Sequence, residues 1–96
     1  MTAFALSRKA RADLGGIWRY SRDNWNVAQA DRYVSAIRDA IVAAAREPER
    51  GRSCAPAAPD YFRVAAGSHF VFYRMEPDRI VVVRILHQRM DFMRHL

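Results

Sequence analysis

The side chains that could do chemistry in this sequence are few and scattered. His69, His87, His95 and Cys54 do not follow the spacing of a zinc site. Gly15-Gly16 lacks the lysine and the spacing of a phosphate-binding loop, and no serine lies in a nucleophile motif. The carboxylates form no suggestive pair. The sequence therefore predicts neither a metal ion nor a cofactor.

One catalytic interpretation remains open, which is RNA cleavage by positioned cations and proton-transfer groups. Its candidate residues are Arg63, Arg74, Arg84, His87 and either Tyr73 or Tyr61. The same arginines could instead hold carboxylates of a partner peptide or of the chain itself. Phe70, Phe72, Val82 and Leu86 are interleaved with them, which suits a binding surface better than an RNase centre. We favour a protein with no catalytic residues, and keep Arg63, Arg84 and His87 as the RNase alternative.

Length and charge limit the class of protein. Ninety-six residues predict a single domain over residues 1–96, and about half of them are apolar. The net charge of +6 favours an anionic partner, either nucleic acid or an acidic protein segment, although an arginine-rich genome would give the same charge without a functional meaning. Cys54 is the sole cysteine, so no internal disulfide can form. With no signal-peptide pattern and no membrane-length apolar run, we expect a cytoplasmic protein without a membrane contact.

A central strand is predicted where aliphatic residues run from Ile80 to Leu86, interrupted only by Arg84. Most of these residues are β-branched, and a nearly continuous apolar run is typical of a strand covered on both faces. The turn-like Glu76-Pro77-Asp78 just before it favours a strand over a buried helix. The other elements must pack against this strand.

The first half of the chain predicts a short strand and a helical hairpin. Phe4-Ala5-Leu6 is the strand, and Ser7 is the N-cap of a helix to about Trp25. Asn26 caps a second helix over about 27–47, and so short a link requires antiparallel helices. We expect the small residues of Gly15-Gly16 to allow close packing against the second helix, and a contact with a ligand is the less favoured alternative.

Two further strands, over 61–66 and 69–75, are joined by Gly67-Ser68. A two-residue loop with glycine first predicts a type II′ hairpin, with Ala66 opposite His69, Val64 opposite Val71 and Phe62 opposite Tyr73. Ahead of them, residues 48–59 read as a proline-rich loop.

The next turn decides which side chains share a face. A three-residue loop of Glu76, Pro77 and Asp78 places Phe72 opposite Val82 and Phe70 opposite Arg84; a four-residue loop reverses the assignment. With the three-residue loop, Val81, Val83 and Ile85 lie under the helices. The opposite face then carries Arg63, Arg74 and Arg84 among apolar residues. Such a face needs a cover, supplied by residues 90–96 as one or two helical turns, by a partner, or by both.

Several blocks of the sequence, taken in order, resemble the ParE toxins of the RelE/ParE superfamily over nearly the whole length. These blocks are Leu6-Ser7-Arg8-Lys9-Ala10, Asp13-Leu14, Ile17-Trp18, Tyr20-Ser21, Trp25, Gln29-Ala30, Tyr33, Pro48, Gly51-Arg52, Gly67-Ser68-His69, Phe72-Tyr73-Arg74 and Arg84-Ile85-Leu86-His87-Gln88-Arg89-Met90-Asp91. The last block is the most specific one.

The resemblance implies an α+β fold with an N-terminal strand, an antiparallel two-helix hairpin, a three-stranded antiparallel meander in one sheet and a short C-terminal helix. It implies the toxin of a type II toxin–antitoxin module, neutralised by a ParD-like ribbon-helix-helix antitoxin through which it meets DNA only indirectly. Toxins of this family typically bind and poison DNA gyrase without nuclease activity. RelE-type relatives cut mRNA on the ribosome, commonly with a tyrosine near the C-terminus. No tyrosine follows Leu86 here, which favours the gyrase class, whereas His87 fits the RelE alternative.

Two sets of binding residues follow as hypotheses. We expect the antitoxin tail to cross the helical hairpin and reach the arginine-bearing face of the sheet, at Trp18, Trp25, Arg63, Phe70, Phe72, Arg74 and Arg84. We expect the target to contact the C-terminal block, because the specific family motif lies there, at His87, Gln88, Arg89, Met90, Asp91 and Arg94.

Overall fold

The computed structural model describes residues 3–95 and has the predicted α+β class. Its elements are β1 (Phe4–Leu6), α1 (Arg8–Asn24), α2 (Val27–Arg46), β2 (Arg52–Cys54), β3 (Ala58–Ala66), β4 (His69–Met75) and β5 (Ile80–His87), with 3-10 turns at Pro48–Arg50 and Phe92–His95. The strands form one sheet in the order β1-β5-β4-β3-β2. β1 runs parallel to β5, and the other neighbours are antiparallel.

The helical hairpin forms as predicted, with both caps confirmed. The Ser7 hydroxyl accepts a hydrogen bond from the backbone N–H of Ala10 at 3.0 Å, and the Asn26 side chain accepts one from Gln29 at 2.7 Å. α1 and α2 each end one residue before the predicted position. The main core lies between this hairpin and the sheet, where Ile37 and Ile41 of α2 are buried against Val71 and Tyr73.

The predicted role of the glycine pair is wrong. A Cβ added at Gly16 would meet nothing within 4 Å, and one added at Gly15 would meet only the side chain of Arg19 in its own helix, at 3.3 Å. Neither glycine is needed for close packing against α2. At Gly16 the missing side chain instead leaves open space on the sheet-facing side of α1.

The hairpin from β3 to β4 has the predicted register, with Ala66 opposite His69 and Phe62 opposite Tyr73. Gly67 supplies the positive φ of +58° that a type II′ turn requires at its first position. A side chain at this glycine would also collide with the ring of Tyr33, which packs directly over the turn.

The predicted register between β4 and β5 is wrong near the turn. The loop has four residues, since Met75 pairs with Ile80 and the Glu76 N–H donates to the Arg79 carbonyl at 2.8 Å. This single step places Val82 opposite Tyr73 under the helices and Val81 on the opposite face.

A β-bulge then adds one residue to β5. The register shifts between Phe72 and Tyr73, so Val83 is the extra residue and packs on the face opposite the helices. Beyond the bulge Phe72 lies opposite Arg84, which returns Arg84 to its predicted face. The prediction for Ile85 under the helices is confirmed, whereas those for Val81, Val82 and Val83 are wrong.

One edge of the sheet differs from the prediction, and the far face has the expected cover. The region predicted as a proline-rich loop contains β2, in which Arg52 pairs with Arg63, so a fifth strand joins β1 and the predicted three-stranded meander of β3, β4 and β5. The expected cover is present: Phe92 of the C-terminal 3-10 turn stacks on Phe72, with ring centroids 4.0 Å apart and planes 3° apart. The chain therefore closes part of its own apolar face.

Candidate functional site

A groove of about 590 Å³ opens between α1 and the end of the sheet where β4 begins and β5 ends. From α1 and the start of α2 it is lined by Asp13, Gly16, Ile17, Tyr20, Trp25 and Tyr33 among others, and from the sheet side by His69, Arg84, His87 and Met90 among others. The space left by Gly16 forms part of it. The groove therefore combines an apolar wall with hydrogen-bonding groups.

Asp13 and Arg84 form the ion pair at its base. The Asp13 carboxylate accepts two hydrogen bonds from the Arg84 guanidinium and one from the backbone N–H of Ile85, at 2.8, 2.8 and 2.9 Å. Both side chains are largely buried: the Arg84 side chain is 16% exposed and the Asp13 side chain is 15% exposed. This bidentate bond with Asp13 raises the pKa of Arg84 further above its ordinary value.

The same pair completes a sheet edge and holds the C-terminus. β1 pairs with β5 only as far as Val82, so Ile85 has no strand partner on that side and uses Asp13 instead. Arg84 also donates to the backbone carbonyl of His95 at 2.7 Å. One arginine therefore joins α1, β5 and the C-terminal turn.

Two histidines lie side by side in the groove. His69 and His87 are a cross-strand pair whose ring centroids are 5.4 Å apart. The Tyr33 hydroxyl accepts from the Ser68 N–H at 2.8 Å and is hydrogen-bonded to Nδ1 of His69 at 2.7 Å. Among residues 3–95, Nδ1 of His69 is the acceptor in contact with this hydroxyl, so we assign the hydroxyl hydrogen to that bond.

His87 is fixed in the same way, since its Nδ1 accepts from the Arg89 N–H at 3.2 Å. With both Nδ1 atoms acting as acceptors, each neutral ring carries its proton on Nε2. Burial, and then the adjacent His87 ring, lower the pKa of His69, while Asp13 acts in the opposite direction. His69 is therefore neutral near pH 7, and its Nε2 carries an N–H donor.

The expected antitoxin residues on the sheet lie on the opposite face from the groove. Arg63 stacks over Phe70, with its guanidinium carbon 4.4 Å from the ring centroid. Phe72 is buried beneath the C-terminal turn, and Arg74 pairs with Glu76 at 3.2 Å. Arg84 begins on this face but reaches round the sheet edge to Asp13.

The two tryptophans lie apart from that face and from each other. Trp18 is half-buried near β1, and its indole N–H donates to Asp31 at 2.8 Å. Trp25 is 65% exposed, lies edge-to-face with Tyr20 at 6.3 Å and lines the groove. A partner that touched all of the expected residues would have to pass round the domain.

The expected target residues follow the end of β5. Gln88 holds the β3–β4 turn by donating to the Gly67 carbonyl at 3.1 Å, whereas Arg89, Met90 and Arg94 are exposed. The Asp91 carboxylate accepts from the Met93 N–H at 3.0 Å. His87 and Asp91 are four residues apart but do not share a helix face, because His87 ends a strand, and its Nδ1 accepts from the Arg89 N–H.

Sequence reasoning missed three residues of the groove, Asp13, Tyr33 and His69, as functional groups. The available signal was Arg84 itself, since a charge inside an apolar strand needs a partner of opposite charge.

No three His, Cys, Asp or Glu side chains in residues 3–95 are placed to hold a metal ion. Burial raises the pKa of the Cys54 thiol, which keeps it protonated.

Comparison with solved structures defines the class of this fold. The structure titled "Chromosomal ParDE TA system from P. aeruginosa" matches with a TM-score of 0.79, covering 91% of this chain and 96% of that one. The two sequences are only 19% identical, so this likeness concerns the fold alone. No helix within residues 3–95 has both the length and the apolar composition needed to cross a membrane.

Sequence comparison then gives the family. The model for the ParE toxin of the type II toxin–antitoxin system parDE matches residues 4–92. Toxin ParE1 of Mycobacterium tuberculosis is 44% identical over 97% of this chain and 96% of its own length. Toxin ParE1 of Caulobacter vibrioides is 41% identical over 100% of this chain and 99% of its own length. Toxin ParE of Escherichia coli is 35% identical over 100% of this chain and 94% of its own length. The chain belongs to the ParE toxin family of type II toxin–antitoxin systems.

Proposed function

We propose that this toxin acts in the cytoplasm by binding DNA gyrase and so blocking replication, without cleaving any substrate itself. A ParD-like ribbon-helix-helix antitoxin neutralises it by binding the toxin. Membership of the ParE family supports this proposal, and so does the placement of the residues that an RNase would need.

The observation that carries the proposal is the separation of Arg63, Arg84 and His87. Arg63 stacks on Phe70 on the open sheet face, and the charge of Arg84 is taken up by Asp13. His87 lies in the groove on the helix side. Because Arg63 and His87 lie on opposite faces of the sheet and Arg84 is paired with Asp13, this arrangement supports a binding role over an RNA-cleaving centre.

The RelE-type alternative retains one favourable observation, which is the pair of His69 and His87 in a groove with tyrosine hydroxyls. A general base needs an unprotonated ring nitrogen that faces the substrate. In both rings Nδ1 accepts an internal hydrogen bond and Nε2 carries the proton. The resting pair therefore favours binding of an acceptor group over proton abstraction.

The direct test is a supercoiling assay with purified gyrase, run beside a translating extract that contains labelled mRNA. We expect blocked supercoiling and intact mRNA, and in cells DNA damage and filamentation. Cleaved mRNA with unaffected gyrase would establish the RelE-type function instead.

The proposed contact regions can be tested separately with exposed charges. Arg94 has an 84% exposed side chain, so Arg94→Glu should weaken gyrase inhibition with little effect on folding. Arg74 is 42% exposed, and Arg74→Glu should weaken antitoxin binding while gyrase inhibition remains. The two variants are matched controls for each other, since both reverse one arginine. Equal effects of both changes on both partners would refute separate surfaces.

A further inference from the structure

The groove carries an exposed apolar rim that the fold itself does not use. Trp25 and Tyr20 are 65% and 64% exposed, and Met90 across the groove is 43% exposed. Large apolar side chains clustered round a concave surface are typical of a protein interface. The open space at Gly16 gives room for an inserted side chain.

The histidine pair at the end of this groove supplies ring N–H donors from two neighbouring strands, with the ring planes at 77° to each other. Both rings line the groove, and their centroids are 5.4 Å apart. Tyr33 and the Arg89 N–H occupy the Nδ1 atoms, which leaves the Nε2–H groups for an external acceptor. A carboxylate is the matching ligand, because its two oxygens can accept from two neighbouring N–H donors.

The charges around the pair favour an anionic ligand. Asp13 on α1 faces the pair, but its carboxylate is neutralised by Arg84 of β5 and accepts three hydrogen bonds. From the helices, the groove is also lined by the hydroxyl-bearing side chains of Tyr20 and Tyr33. The whole chain carries a net charge of +6. No uncompensated negative charge among the residues lining this groove opposes an incoming carboxylate.

We propose that His69 and His87 bind an aspartate or glutamate side chain of the antitoxin, whose neighbouring apolar residue packs in the groove against Trp25 and Met90. This inference rests on the proposed neutralisation by an antitoxin and specifies one of its contacts. It adds a binding site to those expected on the sheet face, on the opposite side of the sheet from Arg63 and Arg74.

A matched pair of substitutions at each histidine tests the donor role. Asparagine places an oxygen near the Nδ1 position and keeps the internal hydrogen bond, but it removes the donor at Nε2. Glutamine restores an N–H donor near Nε2. With the cognate antitoxin as the probe, His69→Asn and His87→Asn should each weaken binding by about 10-fold, whereas His69→Gln and His87→Gln should largely retain it. His95→Asn, in the C-terminal turn, is the control for a general effect of losing a histidine.

The pH dependence of antitoxin affinity distinguishes a direct contact with the carboxylate from a purely structural role of the histidines. A bound carboxylate favours the protonated form of His69, and the Tyr33 hydroxyl can turn to accept from its Nδ1, so the antitoxin should bind wild-type toxin more tightly as the pH falls from 7.5 to 5.5. The His69→Gln variant should lose this dependence. Nitrogen-15 spectra of histidine in the unmodified toxin should show Nε2-protonated rings, with both signals moving when antitoxin binds.

Several outcomes would overturn the inference. Equal antitoxin affinity of the asparagine, glutamine and wild-type proteins would remove the donors from the interface, as would unmoved histidine signals in the complex. If gyrase or RNA moved these signals and antitoxin did not, the groove would belong to a different partner. Failure of the antitoxin to bind wild-type toxin at all would instead refute the proposed neutralisation.

Discussion

Replacing Asp13 by alanine should destabilise the fold more than any exposed charge change. The variant leaves the largely buried guanidinium of Arg84 with the His95 carbonyl as its one remaining described partner, and it leaves the Ile85 N–H without its acceptor. Breaking a buried ion pair costs about 3–5 kcal/mol, and we expect about 3 kcal/mol here because both side chains keep some exposure. For a domain of this size, 1 kcal/mol lowers the Tm by about 4–8 °C, so the expected fall is roughly 12–24 °C.

Urea denaturation and thermal melting of four proteins would measure this effect. They are wild type, Asp13→Ala, Arg84→Met and the double variant, which together form a double-mutant cycle. The double variant should be more stable than the sum of the single losses predicts, because it leaves no uncompensated charge. Asp23→Ala is the matched control: Asp23 pairs with Arg22 on the surface, with side chains 63% and 41% exposed, and its loss should change stability by less than about 1 kcal/mol.

A loss of under about 1 kcal/mol for Asp13→Ala would refute the reasoning, since an exposed pair costs as much. An additive cycle would show that the two side chains contribute independently. Hydrogen exchange at Ile85 and in the C-terminal turn offers a local check, because both should exchange faster in the variant.

Three further changes have expected outcomes. Phe92→Ala uncovers Phe72 and should cost about 3 kcal/mol, the low end for a buried phenylalanine because the covering turn is short, as measured by urea denaturation. Gly16→Ala should raise helix stability by about 0.5–1 kcal/mol in thermal melts, since open space accepts the methyl group. Stability should fall as the pH drops below about 6.5, where the unfolded chain takes up a proton that folded His69 resists, and His69→Asn should flatten this part of the urea-midpoint profile.

Each of these expectations has a clear contrary result. An unchanged urea midpoint for Phe92→Ala would mean that the C-terminal turn does not protect the sheet face. A destabilised Gly16→Ala protein would show that α1 lies closer to the sheet than the structure has it. Equal pH profiles for wild type and His69→Asn would show that the lowered pKa of His69 does not contribute to stability.

Much of the fold could be predicted from the sequence because it depends on neighbours in the chain. Ser7 and Asn26 cap helices through bonds that span three residues, and Gly67 sets a hairpin register through its own backbone angle. The arginine-bearing face and its need for a cover could also be predicted. The strand β2 could not, because its short sequence carries no strand pattern and it forms by pairing with β3.

The candidate site could be predicted only in fragments. Trp25 and Arg84 were expected to bind the antitoxin, and His87 was expected to bind the target. Their meeting with Asp13 and His69 in one groove depends on contacts across the sheet and between distant elements. Side-chain chemistry marks these residues in the sequence without indicating which of them come together.

The sequence by itself determined the local elements, the basic surface and the family resemblance, since these depend on residue type and short spacing. Only the tertiary structure decided the bulge at Val83, the partner of Arg84 some seventy residues earlier in the chain, and the pairing of His69 with His87. The physical reason is that one step in strand register moves every following side chain to the other face. The register between β4 and β5 depends on the loop length and the bulge, and therefore on how both faces of the sheet pack, which short patterns in the sequence do not specify.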